Sequence, residues 1–237
     1  MKILSRTAIS AAALTLALAT ISSAQSMATF GSAELAGFGE GSALLGTSIN
    51  AGVRGWGPVA TLVGQTYRYR SGVNTHAQAW AISPSAGLVH TTSVGSVQGQ
   101  VGYTFVRTDV PVTIVGVEGG SKSGVFVSGQ GNYWGDGVNT AQAIASYGFA
   151  SEYLWSRARA AHRLAPSETP VYVGGEFVYQ GTQKTTPSLW RYQFGPTLEY
   201  RISPEFRVGA SSGYRGGSNS APGSGYARLE FLVLSKL

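Results

Sequence analysis

The feature that most constrains this chain is an alternation of apolar and polar residues with a period of two. In "LWRYQFGPTLEYRI", Leu189 to Ile202, one face carries Trp190, Tyr192, Phe194, Leu198 and Tyr200. The other carries Arg191, Gln193, Gly195, Thr197, Glu199 and Arg201. Successive side chains of an extended strand point to opposite sides, so this spacing predicts a strand with one apolar face. The same residues make no stripe at helical spacing. The pattern recurs in "SVQGQVGYTFV", "EFRVGASSGYR" and "YARLEFLVL", and in "TLVGQTYRYR", where Tyr67 and Tyr69 oppose Arg68 and Arg70. Turn-forming clusters such as "GWGP", "GGSKSG", "WGDGVN" and "RISPEF" separate the segments. The chain divides into about a dozen segments of roughly 10–13 residues, against an ordinary strand of ~5–6. A strand that crosses a membrane needs ~9–11.

A long antiparallel meander can bury its apolar face in a soluble core or turn it outward to lipid. Aromatic residues fall at segment ends: Tyr67, Tyr69, Trp80, Tyr103, Phe105, Tyr153, Trp155, Trp190, Tyr192, Tyr200 and Tyr214. Girdles at two membrane interfaces predict that placement. The polar face is rich in Arg, Glu, Gln, Ser and Gly, and lysine is scarce. A solvated protein surface carries many lysines, whereas a crowded lumen favours small residues and paired ions. Charged residues make up only 12% of the chain, about half the usual share. The expected fold is therefore all-β: an antiparallel up-and-down transmembrane β-barrel of about twelve strands, with ten to fourteen possible and an even number favoured.

The first residues, "MKILSRTAISAAALTLALATISSAQS", combine Lys2 and Arg6 with an apolar run from Ala8 to Ile21 and a small-residue site ending at Ala24. This reads as a signal peptide over residues 1–24, with the barrel over 25–237 and a destination in a Gram-negative outer membrane. The apolar run is shorter than the roughly 17–25 residues of a spanning helix. The chain has no cysteine, so no disulfide framework is available. The net charge of +6 is modest and comes without a basic tract, which argues against nucleic acid as a partner.

In "SEYLWSRARAAHRL", Arg157, Arg159 and Arg163 alternate with Leu154, Ala158, Ala160 and Leu164. An arginine on a barrel's lipid face costs ~2–4 kcal/mol near the bilayer midplane, so the arginines are assigned to the lumen. His162 then falls on the lipid face near a strand end. Extending the assignment gives a candidate lumenal charge network of Arg157, Arg159, Arg163, Glu176, Arg191, Glu199, Arg201, Arg207, Arg215, Arg228 and Glu230, all from the last five strands. Such a set either locks a narrow barrel with ion pairs or lines a weakly anion-selective or sugar-binding lumen.

Five stretches in order, "VQGQVGYTF" followed by "SGVFVSGQGNYW", then "YLWSRARAAHRL", then "VYVGGEFVYQGT" and "WRYQFG", resemble the cellulose-biosynthesis BcsS family of outer-membrane proteins. The resemblance spans about residues 95–215. It implies a signal peptide, an outer-membrane barrel and a role beside exopolysaccharide export, with polysaccharide or secretion machinery as partners in addition to outer-membrane lipid. It supplies no catalytic residues.

Catalysis is not expected from the residues themselves. "GASSG" at 209–213 matches Gly-x-Ser-x-Gly, but that motif works at a sharp strand-to-helix turn and here lies within an alternating segment. His76, His90 and His162 occupy separate segments without metal-ligand spacing, and no cofactor or metal is expected. Three functional classes remain: a non-enzymatic barrel supporting exopolysaccharide biosynthesis or secretion, a small-solute, weakly anion-selective pore, and a membrane-embedded hydrolase or acyltransferase.

Overall fold

The computed structural model describes residues 26–51, 54–70, 76–109, 119–135, 137–164, 170–182, 189–217 and 223–236. The expected signal segment, residues 1–24, lies outside the described residues. Twelve strands run in chain order: β1 (Ser26–Ala36), β2 (Glu40–Asn50), β3 (Gly55–Arg70), β4 (His76–Thr91), β5 (Gly95–Asp109), β6 (Gly120–Tyr133), β7 (Asn139–Gly148), β8 (Tyr153–Arg163), β9 (Val171–Thr182), β10 (Leu189–Arg201), β11 (Phe206–Gly217) and β12 (Ser224–Lys236). Each pairs antiparallel with its sequence neighbours, and β1 pairs with β12 to close the barrel. Closure leaves no unpaired edge, which is the condition for placing a sheet in hydrocarbon. A twelve-residue strand is about 40 Å long at ~3.3 Å per residue. Tilted by ~40°, it stands about 30 Å tall, enough to cross the apolar band of a membrane.

The faces are inverted relative to a soluble domain. Leu45, Leu62, Leu88, Val101, Phe177, Phe194 and Leu229 are exposed, while Glu34, Glu176, Gln193, Arg215 and Arg228 are buried. The apolar exterior is the lipid-facing wall of a transmembrane barrel.

The lumenal wall is crowded in places to the limit of the backbone. A Cβ on Gly195 would lie 1.9 Å from the Ser212 carbonyl, and one on Gly87 would lie 1.9 Å from the Gly99 carbonyl. Both glycines point inward, on the concave side, where only a hydrogen fits. Pro84 and Pro196 lack the amide a ladder needs. The β4–β5 pairing skips from Ile82 to Ser85, and the β10–β11 pairing skips from Phe194 to Thr197.

The first and last described residues lie at one end of the barrel, where Ser26 faces Lys236 across the β1–β12 seam. This is called the terminal end here. The first hairpin, with its short helical turn over Gly37–Gly39, marks the opposite end.

The strand faces correct part of the aromatic assignment. Tyr103, Phe105, Trp190, Tyr192, Tyr200 and Tyr214 sit on the outer wall, and Trp80 does too. Tyr67 and Tyr69 do not: they share the inward face of β3 with buried Val59 and lie across from Ala79 and Ala77, which are also buried. Tyr153 and Trp155 share the inward face of β8 with Arg157, and Trp155 lies across from Gln180. Tyr153 Oη donates to Gln180 Oε1 at 2.9 Å. In the Tyr67–Arg70 stretch the physical reason is position. Near a barrel mouth an outward Arg68 lies close to the polar edge of the membrane and costs little, so polarity no longer decides the face.

Candidate functional site

The lumen has two chemically different walls. On β8 to β12 it is lined by arginine and glutamate. At mid-height, Arg157 grips Glu230 with both ends of its fork, Nη1 to Oε1 at 2.6 Å and Nη2 to Oε2 at 2.9 Å. Its Nη2 also lies 2.8 Å from Glu176 Oε2. Arg159 Nη2 reaches Glu230 at 2.6 Å and Glu176 at 3.3 Å. Arg228 reaches Glu176 through Nη1 at 3.0 Å and donates Nε to Glu34 at 2.9 Å. The Glu176 side chain is fully buried, and it also accepts from Tyr226 Oη at 3.1 Å. Gln193 closes the set, donating to Glu34 at 2.7 Å and accepting from Arg228 at 2.7 Å. Three guanidinium groups therefore meet three carboxylates. Bidentate, charge-assisted geometry of this kind is what allows charges to remain buried.

A second cluster sits near the opposite end. Arg191 holds Glu40 bidentately, at 2.6 and 2.9 Å, and Arg215 reaches the same carboxylate at 2.9 Å. The terminal end carries a third. Arg201 pairs with Glu199 at 2.9 Å and lies over the Tyr172 ring at 4.0 Å. Arg163 lies across β8–β9 from Tyr172, and Arg207 lies across β10–β11 from Arg201.

All eleven residues expected from the sequence share the inward face, but they form three clusters rather than one network. All eleven lie on the last five strands, but the clusters they form also draw on the first two. Glu34 and Glu40 arrive from β1 and β2 through barrel closure, and the sequence reading missed both. Their segment, "SAELAGFGEGSAL", is so rich in glycine and alanine that its alternation has little contrast. The inward Phe30, two residues before the inward Ser32, blurs it further.

The other wall, β3 to β7, carries Lys122 on its inward face near the opposite end and is otherwise neutral among the described residues. Gln100 donates to Thr61 Oγ1 at 3.0 Å and accepts from Ser85 Oγ at 2.6 Å. Gln98 donates to Gln130, Gln130 to Asn132, Asn132 to Ser96 and Gln142 to Asn132, all within 3.3 Å. Ser83 and Thr104 share a hydrogen bond of 2.8 Å. On the same wall but at the opposite end, Tyr67 and Tyr69 stack at 6.0 Å between ring centroids.

Ser211 of the Gly-x-Ser-x-Gly match lies inside β11, facing the lumen. The histidines are elsewhere. His90 packs against Trp56 on the outer wall at 4.9 Å. His162 meets Asn139 at 2.9 Å near the terminal end of the outer wall, and His76 meets the Phe38 carbonyl at the rim. No histidine stands within reach of Ser211 as a base.

No family model matches the sequence, and no curated protein matches it. Among solved structures, the barrel is similar to the beta domain of the Bordetella autotransporter BrkA. That match has 11% identity and a TM-score of 0.52, and covers 88% of this chain and 98% of the other. It is also similar to the deltaS2S3 mutant of the TodX monoaromatic hydrocarbon channel, with 8% identity, a TM-score of 0.53, and coverage of 92% of this chain and 91% of the other. At such identities the likeness is one of fold: a closed barrel of the bacterial outer-membrane kind.

Proposed function

We propose that this protein is a narrow outer-membrane channel that favours small anionic solutes. One observation carries the reading: the charge distribution along the lumen. The middle cluster is balanced, with Arg157, Arg159 and Arg228 against Glu34, Glu176 and Glu230. Both ends carry an excess of arginine among the described residues. Arg191 and Arg215 face Glu40 at one, and Arg201, Arg207 and Arg163 face Glu199 at the other. Positive mouths in low-dielectric walls concentrate anions at both entrances. The balanced middle confines the arginine side chains to one wall and leaves the amide wall as the polar path past it. Rings of arginine select anions in other pores by the same electrostatics.

The test is conductance of the refolded protein in a planar bilayer under a potassium chloride gradient. Small, stable steps with a reversal potential of the sign set by chloride support the channel. A folded barrel that conducts nothing, or one that prefers potassium, overturns it.

A second reading, contact with a polysaccharide, is favoured by the neutral wall. Ladders of Gln and Asn amides offer donors and acceptors to sugar hydroxyls, and the inward Tyr67 and Tyr69 offer flat faces for ring stacking. The resemblance of residues 95–215 to the BcsS family belongs to this reading. Deleting the gene and measuring matrix production tests it: unchanged matrix removes the exopolysaccharide role.

A further inference from the structure

The terminal end holds two arginines in an arrangement that a protein alone does not favour. Arg201 and Arg207 are direct partners in the β10–β11 register, both facing the lumen. Directly opposed residues of an antiparallel pair have Cα atoms only ~4.5–5.5 Å apart, and like charges so placed are destabilising. Arg201 is compensated by Glu199 at 2.9 Å and by the Tyr172 ring at 4.0 Å. Tyr172 is itself fixed, 2% exposed, with its hydroxyl donating to the Gly137 carbonyl at 2.8 Å. Arg207 has no such partner. Its Nε is buried without a hydrogen bond, and among the described residues no carboxylate lies within ion-pair distance. Glu199, on the adjacent strand, is already taken by Arg201. A guanidinium held beside another guanidinium, with open donors, is arranged for an oxyanion that bridges the two.

We infer that Arg207 and Arg201 form a binding site for a small free oxyanion, a carboxylate or a phosphate, just inside the terminal-end mouth. The anion would accept from the Arg207 fork and screen it from Arg201, while Glu199 and Tyr172 keep Arg201 in place. This deepens the channel reading, since such a site is where an anion would pause on entry, but its test does not depend on conduction.

The experiment is calorimetric titration of inorganic phosphate into the folded barrel in a neutral detergent, with a heat-modifiability gel as the folding control. Saturable binding is expected, weakened at least ~tenfold by Arg207→Gln, because a charge-assisted pair of bonds is lost. Arg207→Lys keeps the charge without the fork and is expected to fall between the two. Unchanged affinity in a folded Arg207→Gln barrel, or no binding by the parent protein, overturns the site. A repeat in micelles doped with phosphatidylglycerol separates the sources of the oxyanion. Competition by the lipid would overturn the free-anion assignment, and indifference to it supports the assignment. Bilayer recordings on the same preparation keep the two proposals apart. Binding without conductance leaves the site and removes the channel, whereas conductance without binding does the reverse.

Discussion

The charged wall and the amide wall of this barrel answer the same problem by different means. Both must fill a concave, crowded surface whose polar groups have limited access to water. On the amide wall the amides are neutral and find their partners locally: Gln100 links β3, β4 and β5, and Gln130 lies between Gln98 and Asn132. On the charged wall the bonds reach farther around the circumference, from Arg157 on β8 to Glu230 on β12 and from Gln193 on β10 to Glu34 on β1. A neutral ladder can lose one rung and leave its neighbours intact. A balanced ion cluster cannot, because removing one carboxylate leaves the buried guanidinium groups with a positive charge in excess.

That contrast can be broken by mutation. The largest effect is expected at Glu176, which serves Arg157, Arg159, Arg228 and Tyr226. Glu176→Ala should lower the unfolding free energy by about 3–5 kcal/mol, read by urea titration of the heat-modifiable band. Next come the glycines that hold the two walls at the same backbone spacing. Gly195→Ala on the charged wall and Gly87→Ala on the amide wall should each cost about 1–3 kcal/mol, because the new Cβ must push a carbonyl aside. If the two costs differ widely, the walls differ in backbone compliance and not only in side-chain chemistry. On the amide wall, Gln100→Ala should cost about 1–2 kcal/mol in the same assay, one neutral residue with two bonds. A Gln100 effect as large as that of Glu176 would erase the distinction between the two walls. The smallest effect is expected outside both walls. Arg107 and Asp109 form an exposed pair at 3.3 Å, and Arg107→Ala should change stability by less than about 0.5 kcal/mol. A functional counterpart uses the mouth rather than the middle: the double variant Arg191→Gln, Arg215→Gln should move the reversal potential toward zero while the barrel stays folded.

How much of this was legible in the chain varies by segment. From β8 onward, arginine and glutamate alternate with bulky apolar residues, and the contrast between faces is high enough to assign each charged side chain to a face. The eleven candidate charges share one face of their strands. In β1 and β2, small residues occupy both faces, so Glu34 and Glu40 gave no signal of facing the lumen. At the strand ends polarity misled. Tyr67, Tyr69, Tyr153 and Trp155 were read as girdle residues, yet they point inward, since near a mouth both faces tolerate an amphipathic ring. The Gly-x-Ser-x-Gly match continues an alternating segment, and its Ser211 lies within β11.

The sequence by itself determined the period, the number of strands to within a few and the inversion of the faces. These follow from local chemistry: a side chain's polarity and its place in a two-residue repeat are both written along one strand. Only the tertiary structure decided which charges meet. Glu34 and Arg228 are 194 residues apart and become partners because the first strand closes on the last. The same closure divides the lumen into a charged and a neutral wall, and the β10–β11 register sets Arg207 opposite Arg201. Pairing across a barrel depends on register and closure, which are properties of the whole sheet and are carried by no single strand.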